Sequence, residues 1–269
     1  MSRISETFEA LRSRGEGAYI PYVCAGDPNR EFSLRAIQTL CASGADIVEL
    51  GLPFSDPIAD GPVIQGSMQR SLSAGFKVEH IFDLISRARS DGVNQPVVVM
   101  SYLNPVLRYG VPEFVRRLAG SGGDGLLLVD VPLEESEAID RLAAENGIDT
   151  VKLVAPSTED SRLGNILAKA TGFVYVVSVS GTTGTRDSLH DDALGLVSRV
   201  AARSRVPVAL GFGVSKPEHV SAAMRAGASG VVEGSRLISL YSDSLGNLEA
   251  GLSRMAAHAR QMKDATSLR

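Results

Sequence analysis

Short, β-branched apolar runs recur along the chain, separated by longer helix-period segments, and this alternation constrains the fold more than any other feature. Eight such runs fall at 19–24 (YIPYVC), 46–51 (DIVELG), 96–101 (PVVVMS), 125–129 (GLLLV), 149–154 (DTVKLV), 173–178 (FVYVVS), 206–210 (VPVAL) and 229–233 (SGVVE). Their nearly continuous apolar character predicts strands buried on both faces, as in a parallel sheet. The gaps carry helical spacing: Phe32, Leu34, Ile37, Leu40 and Cys41 within 31–43, Ile139, Leu142 and Ala143 within 134–146, and Val220, Ala223 and Met224 within 216–226. A local pattern recurs where a helix gives way to the next strand: Ser-Gly-Ala-Asp at 43–46, Ser-Gly-Gly-Asp at 121–124 and Ala-Gly-Ala-Ser at 226–229. Glycine there suits the left-handed residue that ends a helix. Eight strands alternating with helices predict a (β/α)₈ TIM barrel, a single domain over residues 1–269. A doubly wound open sheet is the competitor, and strand count favours the barrel. An additional helix at 2–14 is expected to cap the barrel bottom, and the tail beyond about residue 262 is expected to fray.

Composition narrows the function classes. The 269 residues hold 27 basic and 31 acidic side chains, a net charge of −4, and 44% are hydrophobic. This balance argues against a dedicated nucleic-acid or anionic-membrane binder, which would show a basic patch. It leaves room for an anionic substrate held by backbone groups. The two cysteines, Cys24 and Cys41, fit a reduced cytosolic protein better than a disulfide scaffold. The first residues, Met-Ser-Arg-Ile-Ser-Glu-Thr, contain no apolar stretch, so no secretory leader is expected. No run approaches the ~18 apolar residues of a membrane span. A cytoplasmic location is the expectation.

In a barrel of this kind, chemistry sits on the loops that follow the strands. The richest is the one after the second strand, Gly51-Leu52-Pro53-Phe54-Ser55-Asp56-Pro57-Ile58-Ala59-Asp60-Gly61-Pro62, with Glu49 at the strand end. Asp-Pro and Asp-Gly pairs are common turn formers, and Asp60 could simply cap a helix starting near Pro62. For Asp56 the turn role is favoured. Glu49 resists a structural explanation, because an ionised carboxylate in an apolar strand is costly without a partner; at a strand end it points to the barrel mouth. Glycine-rich turns follow the last three strands: Gly181-Thr182-Thr183-Gly184, Gly211-Phe212-Gly213 and Gly234-Ser235. Glycines let backbone N–H groups approach an anion, and the usual barrel phosphate site lies after strands 7 and 8. Arg186 and Arg236 are the nearest cations.

Other signals fail. Gly120-Ser121-Gly122-Gly123-Asp124-Gly125 matches a dinucleotide fingerprint by letters, but it precedes a strand instead of following one. His80, His190, His219 and His258 lack metal-ligand spacing and read as helix-surface or loop residues. Cys24 lies at a strand end with no histidine nearby in sequence, so packing is favoured over nucleophilic chemistry.

These residues together resemble the tryptophan synthase alpha subunit family over essentially the whole chain. The resemblance rests on Ala-Gly-Asp-Pro at 25–28, Glu49 followed by Gly-Leu-Pro-Phe-Ser-Asp-Pro at 51–57, and Ala-Asp-Gly-Pro at 59–62 with Ile64-Gln65. It extends to Tyr102 with Asn104-Pro105, Asp130-Val131-Pro132, Gly181 through Gly184, Gly211 through Ser215, and Gly234-Ser235. The segment from Glu49 to Gln65 is the most specific, whereas glycine turns are shared by many phosphate-binding barrels.

The resemblance implies retro-aldol cleavage of indole-3-glycerol phosphate to indole and glyceraldehyde 3-phosphate, with no cofactor in this chain. It places the catalytic acid/base on Glu49 and the carboxylate facing the indole nitrogen on Asp60. Substrate contacts are implied for Tyr22, Tyr102, Tyr175, Thr183, Gly184, Phe212, Gly213, Gly234 and Ser235. Apolar contact with the indole is expected to raise the Glu49 pKa. The segment 178–190 is expected to act as a lid. A pyridoxal-phosphate beta subunit, docking at the mouth in an α₂β₂ assembly, is the implied partner. The apolar loop Tyr102–Gly110 after the third strand reads as part of that surface. A stand-alone indole-glycerol-phosphate lyase and a non-catalytic phosphate-ligand-binding barrel are the rival readings. The chain departs from the family pattern at Cys24, where threonine is common, at Thr182, where valine is usual, and at Glu233, where an apolar residue is usual. Glu233 could pair with Arg236, face the helix layer, or face the phosphate and weaken its binding.

Overall fold

A computed structural model describes residues 1–177 and 191–267. The strands are β1 (Ala18–Cys24), β2 (Val48–Gly51), β3 (Val97–Ser101), β4 (Gly125–Leu128), β5 (Asp149–Thr150), β6 (Lys152–Val154), β7 (Val174–Val177), β8 (Val208–Gly211) and β9 (Gly230–Glu233). They form one sheet in the order β5-β4-β3-β2-β1-β9-β8-β7-β6, all pairs parallel. The two ends of that ladder are neighbours in sequence. β5 pairs with β4 and β6 pairs with β7, while Val151 between them donates its N–H to the Leu126 carbonyl at 3.0 Å. The predicted fifth strand is therefore one segment whose halves bind opposite neighbours, and it closes the TIM barrel.

Both faces of the central strands are covered, as the unbroken apolar runs require: every residue of β1, β2, β3, β8 and β9 is buried. The recurring helix-to-strand turn has two tasks. Its glycine takes a positive φ (Gly44 at 106°, Gly122 at 89°, Gly227 at 96°), which lets the helix end sharply. Its aspartate latches the start of a strand 27 residues earlier: Asp46 accepts from the Tyr19 amide at 2.8 Å and Asp124 from the Val97 amide at 2.7 Å.

The helix Arg3–Ser13 closes the amino-terminal end, burying Ile4, Phe8 and Leu11. The Ile4 side chain would lie 3.1 Å from a β-carbon at Gly125, Phe8 packs on Phe173 with centroids 5.9 Å apart, and Arg3 pairs with Asp124 at 3.0 Å.

Three expectations need correction. The tail does not fray at 262: the helix Leu248–Asp264 runs past it, Thr266 is fully buried, and its carbonyl accepts from the Gly17 amide at 3.0 Å. The segment after the third strand is not a loop but a helix, Leu103–Tyr109, with Pro105 in its first turn, where a missing N–H costs nothing. The predicted helix at 134–146 is broken, with a 3₁₀ turn at Leu133–Glu135 and an α-helix at Glu137–Glu145. Ser136 sits at the break; its hydroxyl donates to the Leu133 carbonyl and to Asp140, an alternative to the helical ladder.

Candidate active site

The carboxy-terminal ends of the strands surround a cavity of about 550 Å³. Tyr22 on β1, Glu49 on β2, Tyr175 on β7, and Phe212, Gly213, Gly234 and Ser235 beyond β8 and β9 all line it, together with Asp60. Much of the remaining wall is apolar, including Met100, Leu127, Leu153 and Val232. Two strand glycines make room for the tyrosines. A β-carbon on Gly51 would sit 2.1 Å from the Tyr22 hydroxyl, and one on Gly211 would sit 2.2 Å from the Tyr175 ring. Here the missing side chain on one strand is filled by the aromatic ring of its neighbour.

Glu49 is 1% exposed, in register with Tyr22 on β1 and Val98 on β3. Its Oε2 meets no hydrogen-bond partner among the described residues. Burial, aided by the nearby Asp60 charge, pushes its pKa up to about 8. Asp60 is also buried, but its Oδ2 accepts a 2.7 Å hydrogen bond from the Tyr102 hydroxyl. Burial raises Asp60 to about 6, and the Tyr102 bond limits the rise. The two buried carboxyls are thus unlike: Glu49 holds its proton to a higher pH than Asp60 does.

Asp60 does not cap the following helix. Pro62–Ser73 begins after Gly61 with no side-chain cap, while Gln65 donates to the Asp60 carbonyl at 2.8 Å and holds the turn. Tyr102 is not among the cavity-lining residues. It stands behind Asp60, accepts from the Ala59 amide at 3.0 Å, and packs on Phe54 with centroids 5.3 Å apart. Its hydroxyl is placed to hold the Asp60 carboxylate. Asp56 is exposed, and its carboxylate accepts from the Ser55 hydroxyl.

In the glycine turn after β8, Phe212 has a φ of 64°, the one positive value at a non-glycine among the described residues, and Gly213 follows at 79°. An L-residue held there is strained, and such strain collects at binding sites. The Phe212 ring packs edge-on against Tyr175, centroids 6.1 Å apart. Gly234 precedes the helix Ser235–Ser242 and, with Ser215 and Arg236, lines the cavity. Thr183 and Gly184, and the whole predicted lid at 178–190, lie outside the described residues.

Glu233 faces the helix layer. Val232 and Gly234 line the cavity on either side of it, and strand alternation turns Glu233 the other way. It is fully buried; Tyr19 donates to its Oε2 at 2.7 Å and His258 meets its Oε1 at 2.7 Å. His258 and His219 are therefore not surface residues. His219 is 4% exposed, and its Nδ1 accepts from the Ser215 amide at 3.3 Å, just after the glycine turn that follows β8. Its place beside Val220 and Ala223 in the helical pattern was the available signal.

A second cluster went unread in the sequence. Asp27, 1% exposed, accepts from Arg70 at 2.8 and 2.7 Å and from the Tyr241 hydroxyl. It ties the loop after β1 to the helix Pro62–Ser73, which follows Asp60, and to Ser235–Ser242, which follows Gly234. Cys24 is fully buried with its thiol pushed up to about 12, which suits packing and leaves no reactive thiolate. Among the described residues no cluster of three or more His, Cys, Asp or Glu side chains could hold a metal ion.

The family model described as "Tryptophan synthase alpha chain" matches residues 8–267. The tryptophan synthase alpha chain of Carboxydothermus hydrogenoformans is 50% identical over 92% of this chain and 92% of its own. That of Methanosarcina acetivorans is 42% identical over 97% and 93%. Among solved structures, Mycobacterium tuberculosis tryptophan synthase superposes with a TM-score of 0.91 at 35% identity, covering 100% of this chain and 99% of that one. The α₂β₂ tryptophan synthase complex of Pyrococcus furiosus superposes with a TM-score of 0.85 at 39% identity, covering 92% and 98%. A barrel with two buried carboxyls on one side of its mouth and glycine turns beyond its last strands, matched from end to end by these relatives, belongs to the tryptophan synthase alpha chain family.

Proposed function

We propose that this chain cleaves indole-3-glycerol phosphate to indole and glyceraldehyde 3-phosphate, with Glu49 as the acid/base group and Asp60 as the partner of the indole N–H. The observation that carries this reading is the buried, unlike pair: Glu49 with an unpartnered Oε2, raised to about 8, beside Asp60, raised to about 6 and held by Tyr102. Cleavage needs a proton at indole C3 and removal of a proton from the chain hydroxyl on the adjoining carbon. A protonated Glu49 donates the first. Positive charge then spreads to the ring nitrogen, where ionised Asp60 stabilises it in the transition state. As the C3–C1′ bond breaks, its electrons restore the aromatic ring. The hydroxyl becomes the aldehyde, and its proton returns to Glu49. The group ends as it began. Backbone amides at Gly213 and Gly234, with the Ser235 hydroxyl, grip the phosphate and fix the reacting atoms, a gain of effective molarity.

The chain acts as one barrel domain in the cytoplasm, and no helix among the described residues is long and apolar enough to cross a membrane. Its partner is a beta subunit in an α₂β₂ assembly. Ile58, 81% exposed after β2, and Leu107, 56% exposed on the helix after β3, supply apolar surface for that docking. The pyridoxal phosphate belongs to the beta subunit, and this chain's reaction uses none. The test is indole release from indole-3-glycerol phosphate by the purified chain, alone and with a beta subunit. Release that the beta subunit stimulates is the expected result. Equal, full-rate release without it would indicate a stand-alone lyase, and tight binding with no release would indicate a non-catalytic barrel.

A further inference from the structure

Four of the five buried tyrosines of this barrel, all but the cavity-lining Tyr175, have their hydroxyls enclosed by protein, and one of the four stands apart. The hydroxyls of Tyr19, Tyr102 and Tyr241 each donate to a carboxylate, Glu233, Asp60 and Asp27 respectively. The Tyr22 hydroxyl, in a residue only 3% exposed, meets no hydrogen-bond partner among the described residues. The neighbouring Cys24 thiol interacts with the Tyr22 side chain, but a thiol is a weak partner and the pair does not reach hydrogen-bond geometry, so the hydroxyl stays unsatisfied. An unpartnered buried hydroxyl is costly, and such groups persist where a ligand completes them.

The position of Tyr22 says what that ligand group is. A β-carbon on Gly234, in the phosphate turn, would lie 3.6 Å from the Tyr22 Cβ. The far end of the ring stands over Gly51, two residues beyond Glu49 on β2. Tyr22 therefore runs from the phosphate turn to the strand that carries the acid/base group. The glycerol chain of the substrate must cover the same ground, because it joins the phosphate to the carbon at which the bond breaks. That chain carries two neighbouring hydroxyls.

We infer that the Tyr22 hydroxyl is a substrate-binding donor reserved for the hydroxylated chain of the substrate, beyond the contact its ring makes with the pocket. The inference rests on the function proposed above. It separates two properties of the side chain: the ring fills space against Gly51, whereas the hydroxyl reads the polyol. The consequence is discrimination between a hydroxylated chain and a plain alkyl spacer carrying the same ring and phosphate.

The experiment compares the parent with Tyr22→Phe, each assembled with the beta subunit. It reads kcat/KM for indole-3-glycerol phosphate and the inhibition constant of 3-(indol-3-yl)propyl phosphate, which keeps the ring, spacer and phosphate but lacks both hydroxyls. The variant is expected to lose about five- to tenfold in kcat/KM while the inhibition constant stays within about twofold, the signature of one neutral hydrogen bond. Its melting temperature is expected to match or exceed the parent's, because an unpartnered group has been removed. Unchanged kcat/KM, or equal losses for substrate and analogue, would overturn the inference and leave the function standing. A parent that releases no indole would overturn both.

Discussion

At the amino-terminal end of the barrel Asp124 accepts from the Val97 amide at 2.7 Å and from Arg89 at 2.6 Å, with Arg3 at 3.0 Å; at the carboxy-terminal end Glu49 is more deeply buried and its Oε2 meets no donor among the described residues. Asp46 repeats the first pattern, held by the Tyr19 amide at 2.8 Å and Lys263 at 3.0 Å. Burial raises Asp46 and Asp124 too, but amides and cations pull both back. The fold thus completes its buried carboxylates with its own donors, at the mouth as well (Asp27 by Arg70 and Tyr241, Asp60 by Tyr102), and leaves an oxygen of Glu49 without one. The same cost, desolvation of a carboxyl group, is offset by protein donors at Asp46 and Asp124 and by retention of a proton at Glu49.

The largest effect that could break this comparison is at Glu49. Glu49→Gln is expected to lower kcat by about 10³-fold or more, the loss of an acid/base group. It is also expected to stabilise the protein at alkaline pH. The folded state holds the Glu49 proton between the ordinary carboxylate value of 4.5 and about 8, so the parent loses stability as pH rises through that window. A thermal melt at pH 9 should show the variant higher by about 3 °C or more, against little difference at pH 4. A destabilised variant at pH 9 would mean that Glu49 is completed by the protein after all.

Asp124→Asn probes the opposite end. It leaves the largely buried Arg89 guanidinium without its counter-charge and should cost about 2–3 kcal/mol in urea unfolding. Activity below the transition should stay within about twofold, since the two ends are distant and share no partner. A selective loss of kcat would blur the division.

Tyr102→Phe sharpens the comparison within the mouth. The parent profile of kcat/KM against pH should be a bell, with an acid limb near 6 from Asp60 and an alkaline limb near 8 from Glu49. Removing the Tyr102 donor lifts Asp60 further, so the acid limb should move upward while the alkaline limb stays. Near pH 6.5 the loss should be about five- to tenfold and shrink toward pH 8. An unmoved acid limb would show that Tyr102 does not set the state of Asp60.

Much of this was legible in the residues. A carboxylate inside the run Val48-Glu49-Leu50 violates burial economics, which is why Glu49 stood out. The strand runs located the barrel because parallel strands are buried on both faces. Side-chain direction was harder to read. Glu233 looked like a threat to phosphate binding until alternation along β9 turned it toward Tyr19 and His258. That Tyr102 donates to Asp60 was not readable either, because motif position does not say which side of a carboxylate a ring will take. The Asp27, Arg70 and Tyr241 cluster joins residues up to 214 apart, and no local pattern encodes such a contact. Residues 102–110 read as a loop although a proline, which breaks a helix interior, is harmless in the first turn of the helix Leu103–Tyr109.

The central claim is that the barrel mouth holds Glu49 protonated at neutral pH while its neighbour is ionised. Titration of the Glu49 side-chain carboxyl by ¹³C NMR, assigned by difference against Glu49→Gln, measures this directly. The account predicts a midpoint near 8 in the ligand-free protein. A midpoint at the ordinary glutamate value of 4.5 would contradict it.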